Sequence, residues 1–276
     1  MKNFFISIFF IFFGIQCFSQ NNKLFIYEVT IRPEQKNDSL IRKYMLLEPI
    51  NGKSYFRTSD DKQEDSLNTK GVSLNTNLSL GVESSVKDDL YLIKNSKSKT
   101  KQKYITQLFN NYVININENL NWKLFEETKK FNQYNCQKAQ VNYGGRLWTA
   151  WFTKDIPIND GPYIFDGLPG LIVDIADSDN DYHFSLFEIR KNKSINSFKK
   201  PRAIDINWKE YKKIHINYYT NPTKDFAANG TFSITKWVDK DGNEIKMDFK
   251  DLNAKEQKKL RRFNNPLELN HKVNYQ

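Results

Sequence analysis

Between Asp155 and Gly170 the chain carries Pro157, Pro162 and Pro169 together with Gly161, Gly167 and Gly170. Proline lacks a backbone donor and glycine resists ordering, so neither a helix nor a paired strand can run through this stretch. It must be a rigid loop, and its flanks are apolar on both sides. Arg146–Thr153 before it alternates, with Leu147, Thr149 and Trp151 on one face and Trp148, Ala150 and Phe152 on the other. Apolar residues on both faces predict a strand that is central in its sheet or lines a cavity. Leu171 to Ala176 and His183 to Arg190, joined by polar Asp177 to Tyr182, predict a further hairpin.

The rest of the chain reads as antiparallel strands around that core. Leu24 to Ile31, Leu40 to Glu48 and Ser54 to Arg57 predict strands, with turns at Pro33 to Asp38 and Asn51-Gly52. Ser59 to Lys87 is polar and without apolar period, and predicts a long surface excursion. Leu90 to Ile93, Tyr112 to Ile116, Trp122 to Glu126 and Cys136 to Tyr143 predict strands, with Lys94 to Lys103 as a basic turn and Lys191 to Arg202 as a basic linker. Asn207 and Glu210 form a capping box for a helix ended by Asn221-Pro222. A hairpin over Phe232 to Val238 and Ile245 to Phe249 and a Lys-rich helix over Asp251 to Arg262 follow, with Leu252 and Leu260 turned inward. The expected fold is mainly β: a twisted antiparallel sheet or incomplete β-barrel with two short helices.

Residues 1–19 read separately. Lys2, the apolar run Phe4 to Ile15 and the small residues of Cys17-Phe18-Ser19 match a secretory signal cut before Gln20. Gln16 stands where a lipoprotein box needs a small residue, so lipidation of Cys17 is the weaker alternative. Residues 20–276 then form the expected single domain, with 276 − 19 = 257 residues to fold. Aromatics at 14% exclude a disordered chain, and a mean hydropathy of −0.69 excludes a polytopic membrane protein. Expected locations are the periplasm, the outer membrane surface or the medium.

The net charge is +10 (42 Lys and Arg against 32 Asp and Glu), but it is scattered and fills no nucleic-acid module, so no nucleic-acid partner is expected. Cys136 is the one cysteine after residue 19 and reads as a buried strand residue. Asp177, Asp179 and Asp181, with Glu188 eleven positions after Asp177, imitate a calcium loop. Tyr182 replaces its glycine, however, and strands replace its helices, so a polar hairpin tip is expected and no metal. His183, His215 and His271 lack the short spacings of a zinc site, and no nucleophile elbow is present. Asp155, Asp160, Asp166 and Asp174 surround the loop and are the only sequence support for acid-base hydrolysis of peptide or glycan. Trp148, Trp151, Phe152, Tyr163 and Phe165 are the candidate ligand-binding residues, read either as core or as the wall of an apolar ligand cavity. No catalytic residue and no cofactor are assigned.

Gly167-Leu168-Pro169-Gly170-Leu171-Ile172 spells GLPGLI, and here the chain resembles the GLPGLI family of exported Bacteroidetes proteins, also called the Porphyromonas gingivalis type family. Tyr134 to Ala139 with Cys136, Gly145 to Thr153 with Arg146, Ile156-Pro157, Gly161-Pro162-Tyr163 and the tail Asn265 to Leu269 add to the resemblance. Relatives often carry tyrosine where Phe152 stands. The resemblance implies secretion, one domain and no established activity. The hexamer itself needs its residue types for backbone reasons, since Gly167 and Gly170 can take positive φ and Pro169 extends Leu168. The function expected is a non-catalytic module or carrier for a hydrophobic small molecule, a lipid or an outer-membrane protein. An accessory role in outer-membrane transport and a carboxylate hydrolase are the alternatives.

Overall fold

The computed structural model describes residues 23–35, 37–69, 90–107, 110–192, 203–224 and 248–276. The expected signal segment and the hairpin expected over Phe232 to Val238 lie outside the described residues, as does most of the basic linker. Among these residues twelve strands form one sheet: β1 (Lys23–Ile31), β2 (Ile41–Ile50), β3 (Lys53–Arg57), β4 (Leu92–Asn95), β5 (Thr100–Gln107), β6 (Asn110–Ile116), β7 (Lys123–Phe131), β8 (Tyr134–Tyr143), β9 (Arg146–Thr153), β10 (Leu171–Asp177), β11 (Tyr182–Lys191) and β12 (Ile204–Asp205). Their order is β12-β6-β5-β4-β3-β2-β1-β11-β10-β9-β8-β7, open at both ends and not closed into a barrel. Pairing is antiparallel except where β12 lies parallel to β6.

Alternation sets the core. Phe25, Tyr27, Val29 and Ile31 of β1 are buried, as are Trp148, Ala150 and Phe152 of β9 and Tyr182, Phe184 and Leu186 of β11. Trp148 lies 6.2 Å from Phe184, and Phe184 lies 6.0 Å from Phe56 of β3, so both arms of the sheet contribute to one aromatic core. β9 is central, between β8 and β10, but its second face is not interior: Leu147 is 40% exposed and Trp151 half-buried under the Lys129 ammonium. Both-faced apolarity at β9 therefore marks a central strand with one wet face.

Three expectations are corrected. Lys94 to Lys103 is not a turn, because Lys94 lies in β4 and Lys101 and Lys103 lie in β5, leaving only residues 96–99 between the two strands. Ser59–Thr69, expected as irregular surface chain, is the helix α1. Its start is capped reciprocally, Asp61 accepting from the Thr58 amide at 3.0 Å while Thr58 Oγ1 accepts from the Asp61 amide at 3.1 Å. One turn later Asp65 is fully buried against Arg57, so a tertiary ion pair holds a helix that has no apolar face. With α2 (Trp208–Thr220) and α3 (Phe249–Arg262) there are three helices among the described residues, not two. Asn207 and Glu210 make the expected capping box of α2, and Leu252 and Leu260 of α3 are half-buried.

Candidate functional site

The loop 155–170 leaves β9 on one arm of the sheet and is gripped by lysines from the other. Lys94 Nζ donates to the carbonyls of Gly161 (2.6 Å) and Phe165 (3.3 Å) and pairs with Asp160 at 2.5 Å. Lys101 Nζ donates to the Ile164 carbonyl at 3.1 Å and pairs with Asp166 at 2.6 Å. Burial of the Lys101 ammonium pulls its pKa down, against the opposing attraction of Asp166. Lys103 Nζ reaches Tyr163 Oη at 3.1 Å and Glu268 at 2.8 Å. Cross-strand registry explains the trio, since Lys94 stands opposite Lys101 and Leu92 opposite Lys103, so the three ammoniums arrive on neighbouring rungs. Ser54 of β3 adds a hydrogen bond to Asp160.

The C-terminal segment closes this arrangement. Glu268 is buried and accepts from Lys103, from Tyr143 at 3.0 Å and from Tyr163. Burial raises its pKa, but the Lys103 charge and these donors outweigh burial and hold the carboxyl below its usual range. The Tyr143 hydroxyl is pushed up by burial and by Glu268. Nearby, Arg146 uses its whole fork. Nε donates to the Leu267 carbonyl (3.0 Å), Nη1 to Asp177 (2.7 Å) and Asp181 (2.9 Å), and Nη2 to Asn265 (2.7 Å) and the Pro266 carbonyl (3.0 Å). The three aspartates at the hairpin tip do converge, but Asp177 and Asp181 are committed to this guanidinium, the chemistry of a structural clamp and not of a calcium loop.

The candidate carboxylates are thereby dispersed. Asp160 is with Lys94, Asp166 with Lys101, Asp174 with His183 at 2.9 Å, and Asp155 accepts from the Asn135 amide at 3.1 Å. His215 lies instead within α2 and His271 against it, where His271 stacks on Trp208 at 4.0 Å and burial pushes His215 down to about 4, the Lys103 charge adding to the effect. Of the aromatic candidates, Trp148, Phe152, Tyr163 and Phe165 are buried, Trp148 and Phe165 with ring centres 4.6 Å apart, while Trp151 stands on the opposite face of β9. Cys136 is a buried free thiol whose pKa burial raises.

The hexamer divides in two. Leu168, Gly170, Leu171 and Ile172 are buried, and any side chain at Gly170 would overlap the Thr153 carbonyl. Gly167 and Pro169 are exposed, and open space lies where a Gly167 side chain would stand. They rim a groove of about 500 Å3 whose other wall is Leu120 to Leu124. Trp122 is fixed there by its indole donating to the Asp166 carbonyl at 2.8 Å, and Leu124 is 50% exposed.

Sequence reading alone missed the lysine trio and Glu268. The alternation of Lys101, Lys103 and Ile105 was the available signal for β5.

No curated protein matches the chain. Among solved structures it is similar to PNGF-II in two space groups, C2 at 14% identity with a TM-score of 0.49 and P21 at 15% with 0.48. Each match covers 70% of this chain, which spans only 32% of the PNGF-II chain. Residues 143–174, from the end of β8 through β9 and the loop into β10, match the family model described as a protein of unknown function, Porph_ging. The matched segment is thus the one carrying Arg146 and GLPGLI, in agreement with the resemblance read from those residues.

Proposed function

We propose that the protein is a non-catalytic binding module of the cell envelope that docks an envelope protein at the groove between Gly167–Pro169 and Leu120–Leu124. The observation that carries this reading is the division of the hexamer, one half spent on the fold and the other presented beside an exposed leucine and a pinned tryptophan. Rigid apolar anchors beside an open rim suit recognition of a partner's apolar side chain. The dispersal of Asp155, Asp160, Asp166 and Asp174 among different partners favours binding over paired-carboxylate hydrolysis. Export to the periplasm or outer membrane surface is part of the proposal and rests on the sequence of residues 1–19.

A photo-crosslinking residue at position 124, on the wild-type background and beside Pro169→Glu, tests it in the producing cell. A discrete adduct with one envelope protein that Pro169→Glu abolishes is expected. A stoichiometric lipid in native mass spectrometry, without a protein adduct, would replace this reading with that of a carrier.

A further inference from the structure

Among the described residues β7 is the last strand of the sheet, with β8 as its only ladder partner. Glu126, Glu127, Thr128, Lys129 and Lys130 in it are all exposed. The β7–β8 turn is a two-residue connection, Phe131 lying opposite Tyr134 and Thr128 opposite Gln137. In such a hairpin the pair flanking the turn exchanges backbone hydrogen bonds. Alternation then turns the backbone groups of Lys130 and Thr128 away from β8, towards the open edge. The Phe125 carbonyl points the other way, where the Gln137 side-chain amide donates to it at 2.9 Å. Even-numbered positions therefore face the edge even across the register shift between Leu124 and Thr128.

An open edge accepts any strand unless its side chains select. The sequence Glu126-Glu127-Thr128-Lys129-Lys130 is self-complementary in charge when read antiparallel to itself about Thr128. In that register Glu126 faces Lys130 of a second copy, Glu127 faces Lys129, Phe125 faces Phe131, and Thr128 meets its own mate on a two-fold axis. Shifting the register by two residues in either direction brings like charges opposite one another. Opposite charges directly across a strand pair are favourable and like charges are not, so the pattern rejects foreign edges and other registers. The contacts that Glu127 and Lys129 make within the chain do not compete strongly. Glu127 with Lys138 at 2.9 Å is a surface pair, and Lys129, its side chain 41% exposed, lies 3.8 Å from Asp174 and 4.3 Å over the Trp151 ring.

We propose that β7 pairs with β7 of a second copy of this chain, antiparallel about a two-fold axis at Thr128, joining two sheets into one. The dimer would leave the groove at residues 120–124 next to the second copy's β7–β8 turn, so the two surfaces are continuous along one edge.

Sedimentation of the protein purified from its producing cell tests this. A concentration-dependent monomer–dimer equilibrium is expected between about 1 and 100 μM, the range for a small interface, weakening as salt is raised. Lys129→Glu with Lys130→Glu, and separately Glu126→Lys with Glu127→Lys, should each give monomers with unchanged melting temperature. An equimolar mixture of the two variants should regain the dimer. Thr128→Cys should form a disulfide-linked dimer under oxidation, since Cys136 is buried. A wild-type chain that stays monomeric over this range, a charge-reversed variant that still dimerises, or a mixture that does not overturns the proposal. Should a reversed pair fail to fold, failure of Thr128→Cys to crosslink serves as the same refutation.

Discussion

The inner side of the 155–170 loop and its outer rim use the same residue types to opposite ends. Inside, Lys94 and Lys103 are almost inaccessible and every polar atom they meet belongs to the loop or the C-terminal segment. At the rim and along β7, Lys123, Lys129 and Lys130 are exposed. Gly170 is walled in by the Thr153 backbone, whereas Gly167 faces open space. A lysine or glycine near a signature motif thus says little about role until the opposite arm of the sheet is in place.

The strongest test of this contrast is Gly170→Ala. Its side chain would meet backbone that cannot give, at a φ of +151° that L residues rarely adopt, and a loss above about 4 kcal/mol in urea unfolding is expected. Lys103→Met should cost about 3–5 kcal/mol, because Glu268 would keep a buried charge without its cation. Adding Glu268→Gln should recover part of that loss, and a double-mutant cycle that shows no coupling would separate the two residues.

Acid should act on the inner side first. The depressed Glu268 carboxyl contributes stability that is complete above its unfolded pKa of about 4.3 and lost as pH falls through its lower folded value. His215 adds an earlier step. Its folded value near 4 lies below the unfolded value of about 6.5, so between these the unfolded chain binds more protons and stability falls on acidification. Melting temperature should decline from about pH 6.5 downward, and His215→Gln should flatten the upper part of that decline.

The rim should respond least. Gly167→Ala, at φ +89° but with room for a methyl group, should cost about 1–2 kcal/mol. Lys130→Gln should change stability by less than about 0.5 kcal/mol while weakening the dimer. An equal response of Gly167 and Gly170 would erase the distinction between the two halves of the hexamer.

What the sequence disclosed follows the range of the forces involved. The capping box at Asn207 and Glu210, the turn at Asn51-Gly52 and the irregular loop are set by neighbours within a few positions, and all are legible. Thr58 and Asp61 were equally local signs of α1, masked by the absence of an apolar stripe. Lys103 could not be read as interior, because its burial depends on Glu268, 165 positions away. The same holds for Arg146, whose clamp is assembled from Asp177, Asp181 and residues 265–267. The aromatic residues beside the loop were legible as a cluster. Which face of β9 meets solvent could not be read, because both faces of the strand carry apolar residues.

That late clamp also sets a timetable. Strand β9 presents a guanidinium that Asn265, Pro266 and Leu267 must satisfy, about 120 positions further along the chain. Contacts of such sequence separation form slowly, and none can form before those residues have been made. A nascent chain would therefore carry an unfinished core, with Glu268 absent from Lys103 and the loop ungripped, through most of its synthesis. The packing of the loop against the sheet therefore waits on residues 265–268, and an early core held by β9 alone keeps its guanidinium unsatisfied until they arrive.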